Sequence, residues 1–174
     1  MILSALECVY TLIDKETLIM SRTLLSALNR SSVISLESVD HKVIGEKKVF
    51  LGGTCNESNW REELIEMLEI GYFDPVSEKW TPKMKKEELD QRDDCDFLLY
   101  VITPKMTGVY SVAEAVDDSC HHPTKTILCV LDKDGKDEWN ESQKMSMSSV
   151  AALIKGNGAK VFCSLKSVAD YVNS

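Results

Sequence analysis

The chain has 174 residues, of which 44% are hydrophobic and 28% are charged, which is typical of one globular domain with a substantial core. Its 28 acidic residues outnumber its 20 basic residues, and the net charge of −8 disfavours binding to nucleic-acid polymers or to anionic membrane surfaces. No segment approaches the roughly 18 consecutive apolar residues of a transmembrane helix, and the first residues lack the basic region of a signal peptide. We therefore expect a cytoplasmic protein.

Residues 1–46 differ in pattern from the rest of the chain. Segments 9–13 and 18–20 are compatible with a hairpin, and residues 22–29 are compatible with a helix. We expect an N-terminal extension here, which either packs against the domain formed by residues 47–174 or serves as a dimerisation arm.

From residue 47 onward, short segments rich in β-branched and aromatic residues alternate with segments of helical spacing. Strands are predicted at residues 47–53, 71–75, 96–103, 126–131 and 159–163. Helices are predicted at residues 59–69, 81–92, 111–119, 145–155 and 167–172. The first helix has Asn59 and Glu62 at capping-box spacing, and residues 132–138 are predicted to form a solvated turn.

Five strands that alternate with helices predict an α/β fold with a doubly wound, flavodoxin-like parallel sheet. The continuous apolar segment 96–103 is typical of a central strand that is covered on both faces. Ligands of such sheets bind at the carboxyl ends of the strands, beside the point where the strand order reverses. This rule selects the loops at residues 52–59, 74–81 and 103–111.

The six cysteines form no Cys-x-x-Cys pair, and several lie in apolar segments. They are Cys8, Cys55, Cys95, Cys120, Cys129 and Cys163. Buried free thiols explain this distribution better than disulfides do. The adjacent His121 and His122 point apart on one element, so we expect neither a metal site nor a redox cofactor.

The first loop combines residues that suit an anionic or planar ligand. Gly52 and Gly53 let a ligand approach the backbone, although the same glycines also suit a tight strand-to-helix turn. Trp60 can stack on a base and Arg61 can hold a phosphate or carboxylate. The structural alternatives are a core tryptophan and an arginine paired with a neighbouring glutamate.

The third loop leads into a helix that carries Glu114. A carboxylate facing the crevice can act as a nucleophile toward the anomeric carbon of a sugar. Ser111 and Glu114 also have the spacing of a capping box, in which both side chains only satisfy backbone N–H groups. Spacing alone leaves both interpretations open.

Five segments together carry a resemblance to a known family. They are VFLGGTCN at 49–56, NWREELI at 59–65, YFDPV at 72–76, CDFLLYVITP at 95–104 and TGVYSVAEAV at 107–116. This set resembles the nucleoside 2-deoxyribosyltransferase-like family over about residues 47–131. The resemblance implies a flavodoxin-like domain that cleaves the N-glycosidic bond of a nucleoside or nucleotide without a cofactor.

The resemblance also implies roles for individual residues. The nucleophilic glutamate of the family falls on Glu114, and the glycine-bearing loop falls on Gly52, Gly53 and Thr54. Six residues before the glutamate, the transferases carry an aspartate and the related nucleotide glycosidases a serine, whereas this chain carries Gly108. The missing carboxylate is then supplied by Asp74, Asp96 or Asp118, or the substrate differs, or the domain only binds its ligand. The full set of predicted ligand-binding residues is Gly52, Gly53, Thr54, Asn56, Trp60, Arg61, Asp74, Asp96, Thr107, Gly108, Tyr110 and Ser111.

The sequence therefore predicts an enzyme that acts on a small nucleoside or nucleotide through Glu114 and forms a homo-oligomer, as relatives often do. The alternative is a non-catalytic module that senses or sequesters a nucleotide. A receiver or flavin-binding domain is disfavoured, because Gly52 and Gly53 stand where a receiver needs an acidic pair.

Overall fold

The computed structural model describes residues 47–76 and 82–174. The predictions for residues 1–46 lie outside the described residues, and so does the end of the loop predicted at residues 74–81. Seven strands are described: β1 (Lys48–Gly53), β2 (Gly71–Phe73), β3 (Phe97–Ile102), β4 (Thr126–Val130), β5 (Lys133–Asp134), β6 (Asp137–Glu138) and β7 (Lys160–Phe162). The five described helices are α1 (Trp60–Ile65), α2 (Pro82–Asp94), α3 (Tyr110–His121), α4 (Glu141–Gly156) and α5 (Leu165–Val172).

Five of these strands form a parallel sheet in the order β2-β1-β3-β4-β7. The chain first runs from β1 outward to β2 and then continues on the other side of β1 with β3. The strand order therefore reverses between β1 and β3, which is the arrangement of flavodoxin-like folds. This confirms the predicted fold class and places the switch point at the carboxyl ends of β1 and β3.

The sheet is buried on both faces by alternate residues of its central strands. Val49 and Leu51 of β1 face a cluster that includes α1 and α5, whereas Phe50 faces a cluster that includes α3 and α4. In β3 the same alternation sends Leu99 to the first cluster and Tyr100 to the second. A sheet covered in this way needs strands that are apolar throughout, which explains the uninterrupted segment in β3.

Two elements differ in detail from the predictions. Helix α4 begins four residues earlier than predicted, because the Asn140 side chain accepts a hydrogen bond from the Gln143 amide and the Gln143 side chain returns one to Asn140. Asn59 makes no such side-chain cap, and α1 ends at Ile65 rather than at residue 69. The predicted turn at residues 132–138 contains the antiparallel pair β5 and β6.

Within the described ranges, no helix has both the length and the apolar content to cross a bilayer.

The cysteines in the described part of the chain are free thiols, and two of them are buried. Burial raises the pKa of Cys129 to about 12 and that of Cys95 to about 11, so both remain neutral. The expectation of burial is wrong for Cys55, Cys120 and Cys163, which are exposed.

The end of β1 depends on a glycine, which gives a first testable prediction. Gly53 has φ +127°, and a Cβ there would lie 2.1 Å from the carbonyl oxygen of Val101 on the neighbouring strand. We expect Gly53→Ala to lower the free energy of unfolding by about 3 kcal/mol or more, as measured by urea denaturation. Gly108→Ala is the control, because a Cβ there meets nothing within 4 Å. An equal effect of both substitutions would contradict the prediction.

Candidate active site

A cavity of about 470 Å³ opens at the switch point, where β1 ends and α3 begins. This volume suits a ligand of nucleoside size. It is lined by Phe50, Gly52, Gly53, Cys55, Arg61, Pro75, Val76, Glu88, Tyr110, Ser111 and Glu114. Six of these are predicted site residues, and the lining as a whole includes residues from all three loops that the sequence predicts to bind ligand.

A smaller cavity of about 110 Å³ adjoins the first one and shares four of its lining residues. The predicted residues Thr54, Asn56, Thr107 and Gly108 line it. The Asn56 amide donates a hydrogen bond to the Thr107 hydroxyl, which joins the first loop to the third. The two cavities together hold ten of the thirteen predicted site residues.

Glu114 lies in the second turn of α3, with its side chain 12% exposed at the cavity. The capping box that the spacing of Ser111 and Glu114 allowed is absent. The helix begins at Tyr110 after Val109, which makes no side-chain cap. Ser111 instead donates a hydrogen bond of 3.3 Å from its hydroxyl to the carbonyl oxygen of Gly53. Glu114 is therefore not engaged in capping its own helix.

The Glu114 carboxylate is held by an arginine from a different helix. Nη1 of Arg92, near the end of α2, lies 2.9 Å from Glu114 Oε1, and Nη2 lies 2.8 Å from Asp118 Oδ2. The Tyr100 hydroxyl on β3 also donates a hydrogen bond to Asp118 Oδ2. Glu114 and Asp118 are four residues apart on α3, so they present both carboxylates to one guanidinium. We call these four residues the Arg92 network.

The Arg92 network corrects one expectation from the sequence. Asp118 is one of the three aspartates expected to supply the missing carboxylate to the ligand, but it is 5% exposed and accepts hydrogen bonds from both Arg92 and Tyr100. The neighbouring Asp117 is exposed. Because Asp118 accepts both hydrogen bonds on Oδ2 and does not line the cavity, it stabilises the position of Arg92.

Arg61 lines the cavity but is bound tightly to the protein itself. It is 5% exposed, its Nη1 donates to the carbonyl oxygen of Thr54 at 2.9 Å, and its Nη2 donates to that of Leu51 at 3.1 Å. Its Nε lies 3.2 Å from Asp74 Oδ1, so its acidic partner is this aspartate and not the neighbouring glutamate of the structural alternative. These contacts fix the end of β1 and the loop after β2 at the cavity wall.

Trp60 and Asp96 do not reach either cavity. Trp60 is 2% exposed, packs in the core beside Arg61 and donates from Nε1 to the carbonyl oxygen of Thr54, so the structural alternative applies to it. Asp96 lies at the amino end of β3, the opposite edge of the sheet from the cavity, and accepts a hydrogen bond from the Lys48 amide at 2.8 Å. The structure therefore does not bring these two residues together with the other predicted ligand-binding residues.

Asp74 acts on the cavity wall through its neighbours. Its Oδ1 accepts a hydrogen bond from the Val76 amide at 3.0 Å, in addition to its ion pair with Arg61. Pro75 and Val76, which follow it, line the cavity. Asp74 therefore shapes the loop after β2.

The comparison with protein families decides which family the chain represents. The model of the nucleoside 2-deoxyribosyltransferase-like family matches residues 46–133. The chain belongs to this family. The match spans β1 to the start of β5 and includes every residue that lines the main cavity, and it confirms the resemblance found in the sequence. A comparison with curated proteins gives no match.

The surroundings of Glu114 change the pKa of its carboxyl group. Burial raises the pKa of this carboxyl group, the negative charges of Glu88 and Asp118 raise it further, and Arg92 opposes them, which leaves the pKa at about 7. Burial and the neighbouring Asp118 also raise the pKa of Tyr100, which therefore remains a hydrogen-bond donor. A glutamate that exchanges its proton near neutral pH is typical of a reactive site.

The raised pKa predicts a stability effect of Glu114. The unfolded chain loses this proton near pH 4.5 and the folded chain near pH 7, so the folded state binds more protons between these values and loses stability as pH rises. The loss is on the order of 3 kcal/mol. In Glu114→Gln the loss is absent, because the glutamine side chain does not titrate, and its amide oxygen can still accept the Arg92 hydrogen bond.

Urea denaturation of both proteins at pH 5 and pH 8 measures this effect. We expect the variant to gain stability relative to the wild type between the two pH values. A stability difference that does not change with pH would contradict the assignment.

Two residues that the sequence analysis missed, Arg92 and Glu88, come from α2. They are four residues apart, which places them on the same face of the helix. The spacing was visible in the sequence, but α2 is so rich in charge that it resembles a solvated surface helix. Only the position of α2 beside α3 turns this face into part of the site.

Proposed function

We propose that residues 47–174 form an enzyme that cleaves or transfers the N-glycosidic bond of a nucleoside or nucleotide, with Glu114 as the nucleophile. The observation that carries the proposal is the Glu114 carboxylate at a cavity of nucleoside size, held by Arg92. The sequence resemblance implies that the nucleophilic glutamate of the family falls on this residue. The fit of the family model over every cavity residue supports the substrate class.

The proposed chemistry is a double displacement. A Glu114 oxygen attacks the anomeric carbon C1′, and the bond from C1′ to the base nitrogen breaks with its electron pair leaving on the base. The product is a glycosyl ester of Glu114. Water then attacks C1′ and releases the free sugar, or a second base attacks and forms a new nucleoside.

Arg92 gives Glu114 two properties that a nucleophile needs. A buried carboxyl group near two other carboxylates favours its protonated form, and the adjacent guanidinium opposes this by stabilising the anion. The hydrogen bond to Oε1 also fixes the orientation of the carboxylate, so that the other oxygen can react. Asp118 and Tyr100 in turn hold Arg92 from behind.

Other lining residues suit the remaining parts of the substrate. Tyr110 is 69% exposed at the cavity, where its ring can stack on a base. Gly52 and Gly53 line the cavity and have no side chains, and a Cβ would lie 2.8 Å from the Tyr100 ring at Gly52 and 2.1 Å from the carbonyl oxygen of Val101 at Gly53. The Asn56 and Thr107 pair in the adjoining cavity offers polar groups to sugar hydroxyls.

One observation favours a second candidate function, a nucleotide-binding module without catalysis. Gly108 lies beside the cavity at the position where the family carries an aspartate or serine, so it contributes no side chain to a ligand. This module would bind a nucleotide through the same residues and release no base.

Chromatographic detection of free base separates the two functions. The purified chain is incubated with ribonucleosides, 2′-deoxynucleosides, their 5′-phosphates and NAD, with and without a second base as acceptor. The proposal expects base release or base exchange from at least one class. Binding measured by calorimetry with no base released over hours would overturn it in favour of the binding module.

A further inference from the structure

The first and third loops of the candidate site are joined at one further point, outside both cavities. Strands β5 and β6 form a hairpin after β4, and Asp134 lies on the first strand of this hairpin. Its side chain is 12% exposed, and it lines neither of the two cavities. The residue lies one position beyond the segment that the family model matches, so the match itself assigns it no role.

Each oxygen of the Asp134 carboxylate holds a different loop. Oδ2 accepts a hydrogen bond from the Ser58 hydroxyl of the first loop, and Oδ1 lies 3.1 Å from Lys105 Nζ of the third loop. The side chain of Thr103, at the start of the third loop, also hydrogen bonds to this carboxylate. We call these four residues the Asp134 clamp.

The clamp keeps Asp134 in its charged form. Burial acts to raise the pKa of this carboxyl group, but the hydrogen bonds from the other three members and the positive charge of Lys105 outweigh burial and lower the pKa below its ordinary value. Asp134 is therefore an anion at neutral pH, and its attraction for the third loop is that of an ion pair.

Lys105 also holds a strained residue of the first loop. Its Nζ donates a hydrogen bond of 2.6 Å to the carbonyl oxygen of Glu57. Glu57 has φ +47°, in the left-handed region that residues other than glycine rarely adopt. Strained backbone of this kind persists only where surrounding contacts hold it, and it is concentrated at functional sites. Glu57 directly follows Asn56, so the clamp holds the part of the loop that carries this cavity residue.

We propose that Asp134 is a positioning residue of the candidate active site, which fixes the Asn56 and Thr107 pair by holding the first loop against the third. Ser58 lies two residues after Asn56. Lys105 lies two residues before Thr107, so the clamp acts next to both members of the pair. The inference rests on the proposed function in one respect, that this pair binds sugar hydroxyls of the substrate.

The clamp is separate from the groups that set the reactivity of Glu114. Burial and the charges of Arg92, Glu88 and Asp118 determine the pKa of the Glu114 carboxyl group, and no member of the clamp is among them. Loss of the clamp should therefore weaken binding of the sugar in the ground state and the transition state alike. Such a loss raises KM and leaves kcat and its pH dependence unchanged.

The test substitutes Asp134→Asn, which keeps an oxygen that can accept the Ser58 hydrogen bond and removes the charge that pairs with Lys105. The probes are the four common 2′-deoxynucleosides and their 5′-phosphates. We expect the dissociation constant measured by calorimetry, and KM where base is released, to rise by about 10-fold. The value of kcat should stay within about threefold of the wild type, and the rising limb of its pH profile should stay near pH 7.

The matched control is Asp137→Asn. This carboxylate is exposed and lies directly opposite Asp134 in the hairpin. It should bind every probe as the wild type does. Urea denaturation of both variants shows that they are folded under the conditions of the binding measurements.

A second variant and a double-mutant cycle separate positioning from general stability. Lys105→Met breaks the same ion pair from the third loop and should also raise the dissociation constant and KM by about 10-fold. Thr107→Val removes the hydroxyl that accepts the hydrogen bond from Asn56. If Asp134 acts through this pair, Asp134→Asn should raise the dissociation constant by less than about twofold in the Thr107→Val protein. A residue that only stabilises the fold would give additive effects.

The contrary outcomes are distinct. An unchanged dissociation constant in Asp134→Asn, a loss confined to kcat, or additive effects of Asp134→Asn and Thr107→Val would each overturn the inference and leave the proposed function intact. If the wild type binds a probe but releases no base, the proposed function fails, and the dissociation constants of the same variants still decide the inference. If the wild type binds none of the probes, both fail.

Discussion

Replacement of Glu114 by glutamine is expected to lower the rate of base release by at least about three orders of magnitude. The amide has nearly the shape of the carboxylate and can accept the Arg92 hydrogen bond, but it is a poor nucleophile. The variant should therefore bind substrate with a dissociation constant within a few fold of that of the wild type. Rates are measured chromatographically on the best substrate, and binding is measured by calorimetry.

The matched control for this prediction is Asp117→Asn, which removes a carboxylate from the same helix at a position that is exposed. It should leave kcat and KM unchanged. If Glu114→Gln keeps more than about a tenth of the wild-type activity, Glu114 is not the nucleophile. That result would also remove the reason for assigning Arg92 a part in the reaction.

Replacement of Arg92 by methionine is expected to have the second largest effect, a loss of about 100-fold in kcat/KM at neutral pH. The guanidinium lowers the pKa of Glu114, which is about 7 in the wild type. Without it the pKa rises, so the nucleophile ionises only at higher pH. The rising limb of the activity profile, expected near pH 7 in the wild type, should move to higher pH.

The Arg92→Met variant is expected to lose stability as well as activity, so its free energy of unfolding is measured beside its kcat/KM. The Arg92 side chain is 13% exposed, and its removal leaves Asp118 without its cation, so a loss of about 3–5 kcal/mol in the free energy of unfolding is expected as well. Arg92→Lys keeps a positive charge but cannot present two parallel N–H groups to two carboxylates. It should restore much of the pH profile and less of the rate. An unshifted pH profile in folded Arg92→Met would show that the arginine is merely structural.

The fold could be predicted from the sequence because the residue patterns that mark its strands and turns are strong and local. A sheet covered on both faces needs uninterrupted apolar strands, and the segment that became β3 contains eight residues without a charge after Asp96. The glycines at the end of β1 likewise mark the turn that the structure places at the cavity. The ends of the helices were harder to predict. Helix α4 is an example, because its start is set by the reciprocal hydrogen bonds of Asn140 and Gln143 rather than by the spacing of apolar residues.

Only part of the site could be predicted from the sequence, because the direction in which a side chain points depends on tertiary contacts. Trp60 follows the first loop and is therefore predicted to bind the ligand. Its indole is buried in the core instead, where burial of its apolar surface stabilises the fold. Ser111 and Glu114 have the spacing of a capping box, but the helix starts one residue before Ser111, whose hydroxyl donates to the carbonyl oxygen of Gly53 instead. Arg92 lies far from Glu114 in the sequence, so no local pattern joins them.

The most direct test of the central claim is to capture the covalent intermediate on Glu114. The full chain is incubated with a 2′-deoxy-2′-fluoro analogue of its best substrate, because the fluorine destabilises the oxocarbenium-like transition states and slows the second step. Mass spectrometry should then find the chain heavier by one fluorinated sugar, with the label on the peptide that contains Glu114 and with no label in Glu114→Gln. A label on another residue, or base release from the normal substrate that persists in Glu114→Gln, would contradict the account.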